Sequence, residues 1–97
     1  MLFLALEVEN QPVNWEEISP DVLKAEARRV YDLQQSGLIR QIHFRADTNS
    51  AIIEWECDSI QQVKVLTSSL PLVEAGFIHF DIIPLVPYPG FKRLFSN

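Results

Sequence analysis

The sequence predicts one α+β domain whose strands and helices follow the order β-α-β-β-α-β. Three observations support this prediction. A chain of 97 residues is long enough for one hydrophobic core, 47% of the residues are hydrophobic, and turn-forming residues separate strand-like from helix-like stretches. Charged residues are only 22% of the chain, which excludes a disordered protein. Residues 1–97 are therefore interpreted as a single domain.

The first strand and the first helix have clear boundaries. Leu2 to Val8 predicts a strand, which Asn10-Gln11-Pro12 ends. Ser19-Pro20-Asp21 is typical of a helix start, with a hydroxyl cap, a proline at the first helical position and an acid in the first turn. The helix is expected to continue to Ser36, because Gly37 can adopt the left-handed conformation that follows a helix end.

The second half of the chain contains three strands and a shorter helix. The predicted elements are a strand from Leu38 to Ala46, the turn Asp47-Thr48-Asn49-Ser50, a strand from Ala51 to Cys57, a helix from Ile60 to Leu70 capped by Asp58-Ser59 and ended by Pro71, and a strand from Phe77 to Pro84. The complete order is the split βαβ pattern of ferredoxin-like folds. Right-handed crossovers would place both helices on one face of a four-stranded antiparallel sheet.

Alternation along each strand predicts which side chains face the helices. The expected helix-facing rows are Leu2, Leu4, Leu6 and Val8; Leu38, Arg40, Ile42, Phe44 and Ala46; Ala51, Ile53, Trp55 and Cys57; and Ile78, Phe80 and Ile82. The opposite face is expected to carry Phe3, Ala5, Glu7, Gln41, His43, Arg45, Ile52, Glu54, Glu56, His79 and Asp81. That face either contacts solvent or packs on a partner chain, and its apolar members favour the partner.

Charge and cysteine content narrow the classes of function. The chain has 8 basic and 13 acidic residues and a net charge of −5, so nucleic-acid binding is not expected. One cysteine, Cys57, allows no internal disulfide and no cysteine-rich metal site. The apolar start of the chain is interrupted at Glu7 and lacks a preceding basic region, so it predicts a strand rather than a signal peptide or membrane span. Cytoplasm is the expected compartment.

Two charged residues interrupt the apolar pattern of the helix side. Glu26 lies among apolar positions of the first helix, and Arg40 among those of the second strand. A buried charge is costly unless it is paired, so both should pair, reach solvent or line a polar cavity. Glu26 could instead lie at the edge of the apolar stripe, and Arg40 could extend past the edge of the sheet.

The two histidines allow few kinds of site. His43 and His79 lack the spacing and the third ligand of a metal site. Asp81 would share a face with His79, and the pair could either perform acid–base chemistry or form a weak surface pair. Haem binding would need a histidine on the helix side, and alternation places neither histidine there.

Short sequence matches extend over almost the whole chain and resemble muconolactone Δ-isomerase and its relatives. The matching pieces are Met1-Leu2-Phe3, Pro12-Val13, Leu23-Lys24-Ala25-Glu26, Gly37 followed by Arg40, and Leu70-Pro71-Leu72. The resemblance implies a ferredoxin-like chain whose sheet pairs with a second sheet to form a dimeric α/β barrel. It also implies proton transfer within an unsaturated lactone during aromatic catabolism, without a metal or an organic cofactor.

The resemblance also implies roles for individual residues. Glu26 would be the acid and base, and Arg40 would bind a substrate carboxylate. Apart from the resemblance, His43 is a second catalytic candidate. Substrate contacts are further expected from Tyr31, Phe44 and Trp55. Leu4, Leu6 and Gln41 stand where the isomerase has polar residues and a histidine, which predicts an altered substrate.

Two alternatives remain open for the function. The chain is either an isomerase-like enzyme acting on a small carboxylate-bearing ring, or a non-catalytic binding or assembly subunit whose pocket is filled by side chains. In both cases a homodimer or larger homo-oligomer is expected, because the apolar tail residues Phe91, Leu94 and Phe95 need cover. The expected contact uses this tail and the sheet face opposite the helices.

Overall fold

Four antiparallel strands form one sheet in the order β2-β3-β1-β4. The computed structural model describes residues 1–96. Its elements are β1 (Leu2–Glu9), α1 (Pro20–Gln35), β2 (Ile39–Phe44), β3 (Ala51–Glu56), α2 (Ile60–Ser68), α3 (Pro71–Glu74) and β4 (Ile78–Pro84), with 3-10 helices at Trp15–Glu17 and Pro89–Phe95. The predicted β-α-β-β-α-β order and the α+β class are confirmed.

Helix α1 has the boundaries that its local sequence predicts. The Ser19 hydroxyl accepts a hydrogen bond from the Asp21 backbone N–H at 3.2 Å, and Pro20 occupies the first helical position. Gly37 has a φ of +86°, which a residue with a side chain adopts only at a cost. Local signals thus define both ends of α1.

The second helical region is divided in two. Ser59 caps α2 by accepting a hydrogen bond from the Gln62 N–H at 3.2 Å, but α2 ends at Ser68 rather than Leu70. Leu70 is extended because the residue before a proline is kept out of the helical conformation. Pro71 then begins the four-residue helix α3 instead of only ending α2.

The predicted face of β1 is wrong. Phe3 and Ala5 are 1% and 0% exposed and belong to the core beneath the helices, together with Leu33 of α1 and Val63 of α2. Pairing fixes this orientation, because Phe3 lies opposite the buried Trp55. The row Leu2, Leu4, Leu6 and Val8 therefore lies on the other side of the sheet, called here the open face.

A β-bulge changes the expected row of β2. Ile39 pairs with Trp55 and Gln41 pairs with Glu54, so Arg40 is an extra residue between two paired neighbours. Ile39 is 1% exposed and packs in the core, whereas Arg40 is exposed. The expected place of Arg40 in the helix-facing row is therefore wrong. Beyond the bulge, His43 lies on the open face and Phe44 on the helix side, as predicted.

The C-terminal tail follows the last strand without packing into the core. Leu85 donates its N–H to the Leu2 carbonyl at 3.0 Å, and the apolar side chains beyond it are exposed. These exposed side chains are Val86, Tyr88, Phe91, Leu94 and Phe95. The radius of gyration is 15.9 Å, whereas about 13 Å is typical of a compact domain of this length. This difference agrees with a tail that extends from the domain.

Candidate functional site

A cavity of about 450 Å³ lies between the helix side of the sheet and the helices. All four strands contribute to it, together with α1, α3 and the loop before α1. Its lining residues are Glu7, Trp15, Leu23, Glu26, Ala27, Val30, Ile42, Phe44, Asn49, Ala51, Ile53, Leu72 and Phe80. Phe44 is 61% exposed, which places the mouth of the cavity near β2. The volume is in the range of small-molecule sites.

Glu26 brings a carboxylate from α1 into this cavity. The side chain is half-buried, and its Oε1 accepts a hydrogen bond from the Leu72 backbone N–H at 2.9 Å. Burial raises the pKa of Glu26, the hydrogen bond from Leu72 opposes the shift, and the charge of Glu7 adds to it. Glu26 is therefore more readily protonated than a carboxyl group in water.

Glu7 brings a second carboxylate from β1. It lies on the helix side because it follows Phe3 and Ala5 at intervals of two residues. Its Oε1 accepts a hydrogen bond from the Ala51 N–H at 3.3 Å. Burial raises the pKa of Glu7, the Ala51 hydrogen bond lowers it, and the charge of Glu9 raises it further. Alternation along β1 predicts the open face for Glu7, which is why this residue is not among the expected site residues.

The loop between β1 and α1 is held over the cavity by Glu9. Its carboxylate accepts hydrogen bonds from Trp15 Nε1 at 2.9 Å and from the Val13 N–H at 3.2 Å. The indole ring of Trp15 therefore lines the cavity while its N–H is already bonded. Among the lining residues this leaves Glu7, Glu26 and Asn49 to offer polar side-chain atoms to a ligand.

The six expected site residues are separated in the structure. Glu26 and Phe44 line the cavity. His43 lies on the open face, and Arg40 is exposed at the bulge. Tyr31 is 54% exposed on α1, where the Arg28 guanidinium lies 5.7 Å from the centre of its ring.

Trp55, the last of the six, is part of the core rather than the cavity wall. It is 0% exposed, and its Nε1 has no hydrogen-bond partner within residues 1–96. Its role here is to fill the core beneath the helices.

Within residues 1–96, no group of three or more His, Cys, Asp and Glu side chains could hold a metal ion. In the same part of the chain no helix is both long and apolar enough to cross a membrane.

The fold matches that of a solved enzyme structure. Muconolactone isomerase superposes with a TM-score of 0.72 at 19% identity, covering 93% of each chain. This chain has the muconolactone isomerase fold. The predicted resemblance is therefore confirmed at the level of the fold. A second match is 5-chloro-2-hydroxyhydroquinone dehydrochlorinase from Burkholderia phenoliruptrix AC1100, in complex with 2,5-dihydroxybenzoquinone, with a TM-score of 0.63, 16% identity, and coverage of 91% of this chain and 96% of that one.

Sequence comparisons give no further assignment. No protein-family model matches the chain. No curated protein matches it significantly. The likeness to muconolactone isomerase is therefore one of fold.

Proposed function

We propose that this protein is a cofactor-independent enzyme that moves a proton within a small cyclic compound, with Glu26 as the acid and base. The observation that carries the proposal is the Glu26 carboxylate in a mostly apolar cavity, fixed by the Leu72 N–H at 2.9 Å. A carboxyl group whose pKa is raised by burial holds a proton more readily than one in water, which suits a group that has to accept a proton and return it.

The two structural matches support a ring compound as the substrate. Their names describe a lactone isomerase and a dehydrochlorinase of a hydroquinone, and both names refer to small rings. The cavity of about 450 Å³ and its apolar wall suit a ligand of that size. Arg40 was expected to bind a substrate carboxylate, but it lies outside the cavity and has no role in the proposal.

The proposal is tested by Glu26→Gln, which keeps the shape of the side chain and removes the base. With unsaturated lactones as probes, turnover by this variant should fall at least about 100-fold. Glu17→Gln is the matched control, because Glu17 is exposed and lies outside the cavity. Unchanged turnover in Glu26→Gln would refute the assignment. Ligand binding by the unmodified protein without any turnover would favour the alternative, a non-catalytic binding subunit.

We also propose that two copies pair through their open faces and tails to form a dimeric α/β barrel. The row Leu2, Leu4, Leu6 and Val8 makes the open face of β1 apolar along its length, while Phe3 and Ala5 make the first part of the strand apolar on the helix side as well, as is typical of a strand that is buried on both sides. The exposed tail adds Val86, Tyr88, Phe91, Leu94 and Phe95 to the apolar surface. Soluble monomers rarely leave such a surface uncovered.

A further inference from the structure

The charge of the cavity is unusual for a site that would bind a carboxylate. Its lining includes two carboxyl groups, Glu7 and Glu26, and no Lys, Arg or His. Two of the chain's guanidinium groups are engaged elsewhere, because Arg29 donates hydrogen bonds to Ser69 and Arg45 pairs with Asp47. An anionic ligand in this cavity would meet like charges without a compensating cation, which is strongly unfavourable.

We propose that the cavity takes an uncharged, unsaturated ring carbonyl compound, and that Glu7 is a second catalytic residue that hydrogen-bonds the carbonyl oxygen. This inference rests on the proton-transfer function proposed above and specifies its substrate class. Both carboxyl groups line the same cavity, and each is anchored by one backbone N–H from a different element. A ligand between them can therefore contact both groups at once.

The two groups differ in a way that suggests their roles. Two interacting acids in a partly buried site tend to share one proton, so that one is neutral while the other is charged. Glu26 receives the shorter hydrogen bond, 2.9 Å against 3.3 Å, which favours its ionised form. Burial raises the pKa of both groups, and a neighbouring carboxylate adds to each shift, Glu9 for Glu7 and Glu7 for Glu26, so the difference between the two hydrogen bonds decides the assignment. Glu26 is thus assigned as the base, and protonated Glu7 as the hydrogen-bond donor.

The reaction needs no other participant. The Glu26 carboxylate removes a proton from the carbon between the carbonyl and the ring double bond. The electrons of the broken C–H bond form a new carbon–carbon double bond to the carbonyl carbon, and negative charge accumulates on the oxygen. The O–H of Glu7 stabilises that charge. Glu26 then returns the same proton to the far carbon of the original double bond, so the double bond moves into conjugation and atoms and charge balance.

The substrate class is tested with two lactone probes that share one ring. One is α-angelica lactone, an uncharged five-membered enol lactone with a methyl group. The other is the same ring with a carboxymethyl group, which is anionic at neutral pH. The unmodified protein should isomerise the uncharged lactone with a kcat/KM at least about 100-fold higher than that for the anionic one, because like charges oppose binding of the latter. A preference for the anionic lactone would overturn the inference and leave the proton-transfer function intact.

Variants of Glu7 test its catalytic role. Glu7→Gln keeps an N–H donor in place of the protonated carboxyl and leaves the charge of the cavity unchanged, so turnover of the uncharged lactone should stay within about tenfold and discrimination against the anionic lactone should persist. Glu7→Leu removes the donor and should lower kcat by about 100- to 1,000-fold. Glu17→Gln, which is exposed and lies outside the cavity, is again the matched control and should change neither value. Turnover by folded Glu7→Leu equal to that of the unmodified protein would refute the role of Glu7.

A binding measurement separates failure of the substrate class from failure of the function. Trp15 lines the cavity, so its fluorescence should respond when either lactone binds. Binding of the uncharged lactone without turnover would refute the proton-transfer function and, with it, the catalytic role of Glu7, while the charge selectivity would stand. Equal binding of both lactones, or binding of neither, would overturn the substrate class. If Glu7→Leu does not fold, turnover by Glu7→Gln still tests the catalytic role of Glu7, and the comparison of the two lactones still tests the substrate class.

Discussion

Leu4→Arg on the open face should separate the proposed dimer into monomers. Leu4 lies near the middle of the sheet, opposite Glu54 of β3 and Ile83 of β4. In a twofold interface the substitution occurs twice, and each buried leucine contributes about 1.5–3 kcal/mol. Loss of both should therefore weaken the dimer by about 3–6 kcal/mol, or at least about 100-fold in Kd. In the monomer the new guanidinium can pair with Glu54, so the fold should persist.

The size of the interface predicts that the tail also takes part. Four strands about 4.8 Å apart and six to eight residues long give an open face of about 450 Å² in projection. A stable dimer commonly buries about 800 Å² per partner. The sheet offers little more than half of this area, and the apolar side chains of the tail are available to supply the rest.

The assay for the dimer is sedimentation equilibrium at micromolar concentrations. Val65→Arg is the control, because Val65 is 69% exposed on α2 and away from the open face. The unmodified protein and the control should sediment as dimers or larger assemblies, and Leu4→Arg as a monomer with an unchanged circular dichroism spectrum. A single 11.2 kDa species for the unmodified protein, or no difference between it and Leu4→Arg, would refute the reasoning.

Three further predictions concern stability. Burial raises the pKa of Glu7 and Glu26 above 4.5 in the folded state. Their contribution to the free energy of unfolding is therefore fully present below pH 4.5 and is lost as the pH rises through the pKa values of the folded state. Urea titrations at several pH values should show this loss in the unmodified protein and not in the double variant Glu7→Gln/Glu26→Gln. Ser59→Ala removes the cap of α2 and should lower the free energy of unfolding by about 1 kcal/mol, which Ser59→Thr largely restores. Gly37→Ala should lower the free energy of unfolding by about 1–2 kcal/mol. Backbone strain is the only cause, because a methyl group at this position meets no atom within 4 Å. Thermal unfolding measures the loss, which should be smaller for Gly37→Asn.

The elements of this fold could be predicted where local chemistry determines them. The cap at Ser19, the proline after it and the glycine at Gly37 are signals within one helix, and α1 begins and ends where they indicate. The α2–α3 region shows the limit of such reasoning. A proline disfavours a helix through the residue before it but is well suited to begin a new one, and Pro71 does both.

The orientation of β1 could not be predicted from alternation alone. Both of its rows are apolar near the start of the strand, since Phe3 and Ala5 alternate with Leu2, Leu4 and Leu6. Only pairing with β3 decides between them, and pairing is a property of the assembled sheet. The same limit applies to Arg40, because no residue around it indicates a bulge, and one extra residue removes it from the helix-facing row.

The orientation of β1, that is, which of its two rows of side chains faces the helices, links the candidate site to the proposed assembly. With Phe3 and Ala5 in the core, Glu7 must enter the cavity beside Glu26, and the leucine row must lie on the open face. The opposite orientation of β1 would place Glu7 on the open face, where an unpaired acid opposes dimerisation, and would leave the cavity with one carboxylate. The orientation of β1 therefore keeps Glu7 out of the proposed interface and places it in the proposed site. The unbroken apolar row and the second cavity acid follow from the same alternation, so an experiment that establishes one of them strengthens the case for the other.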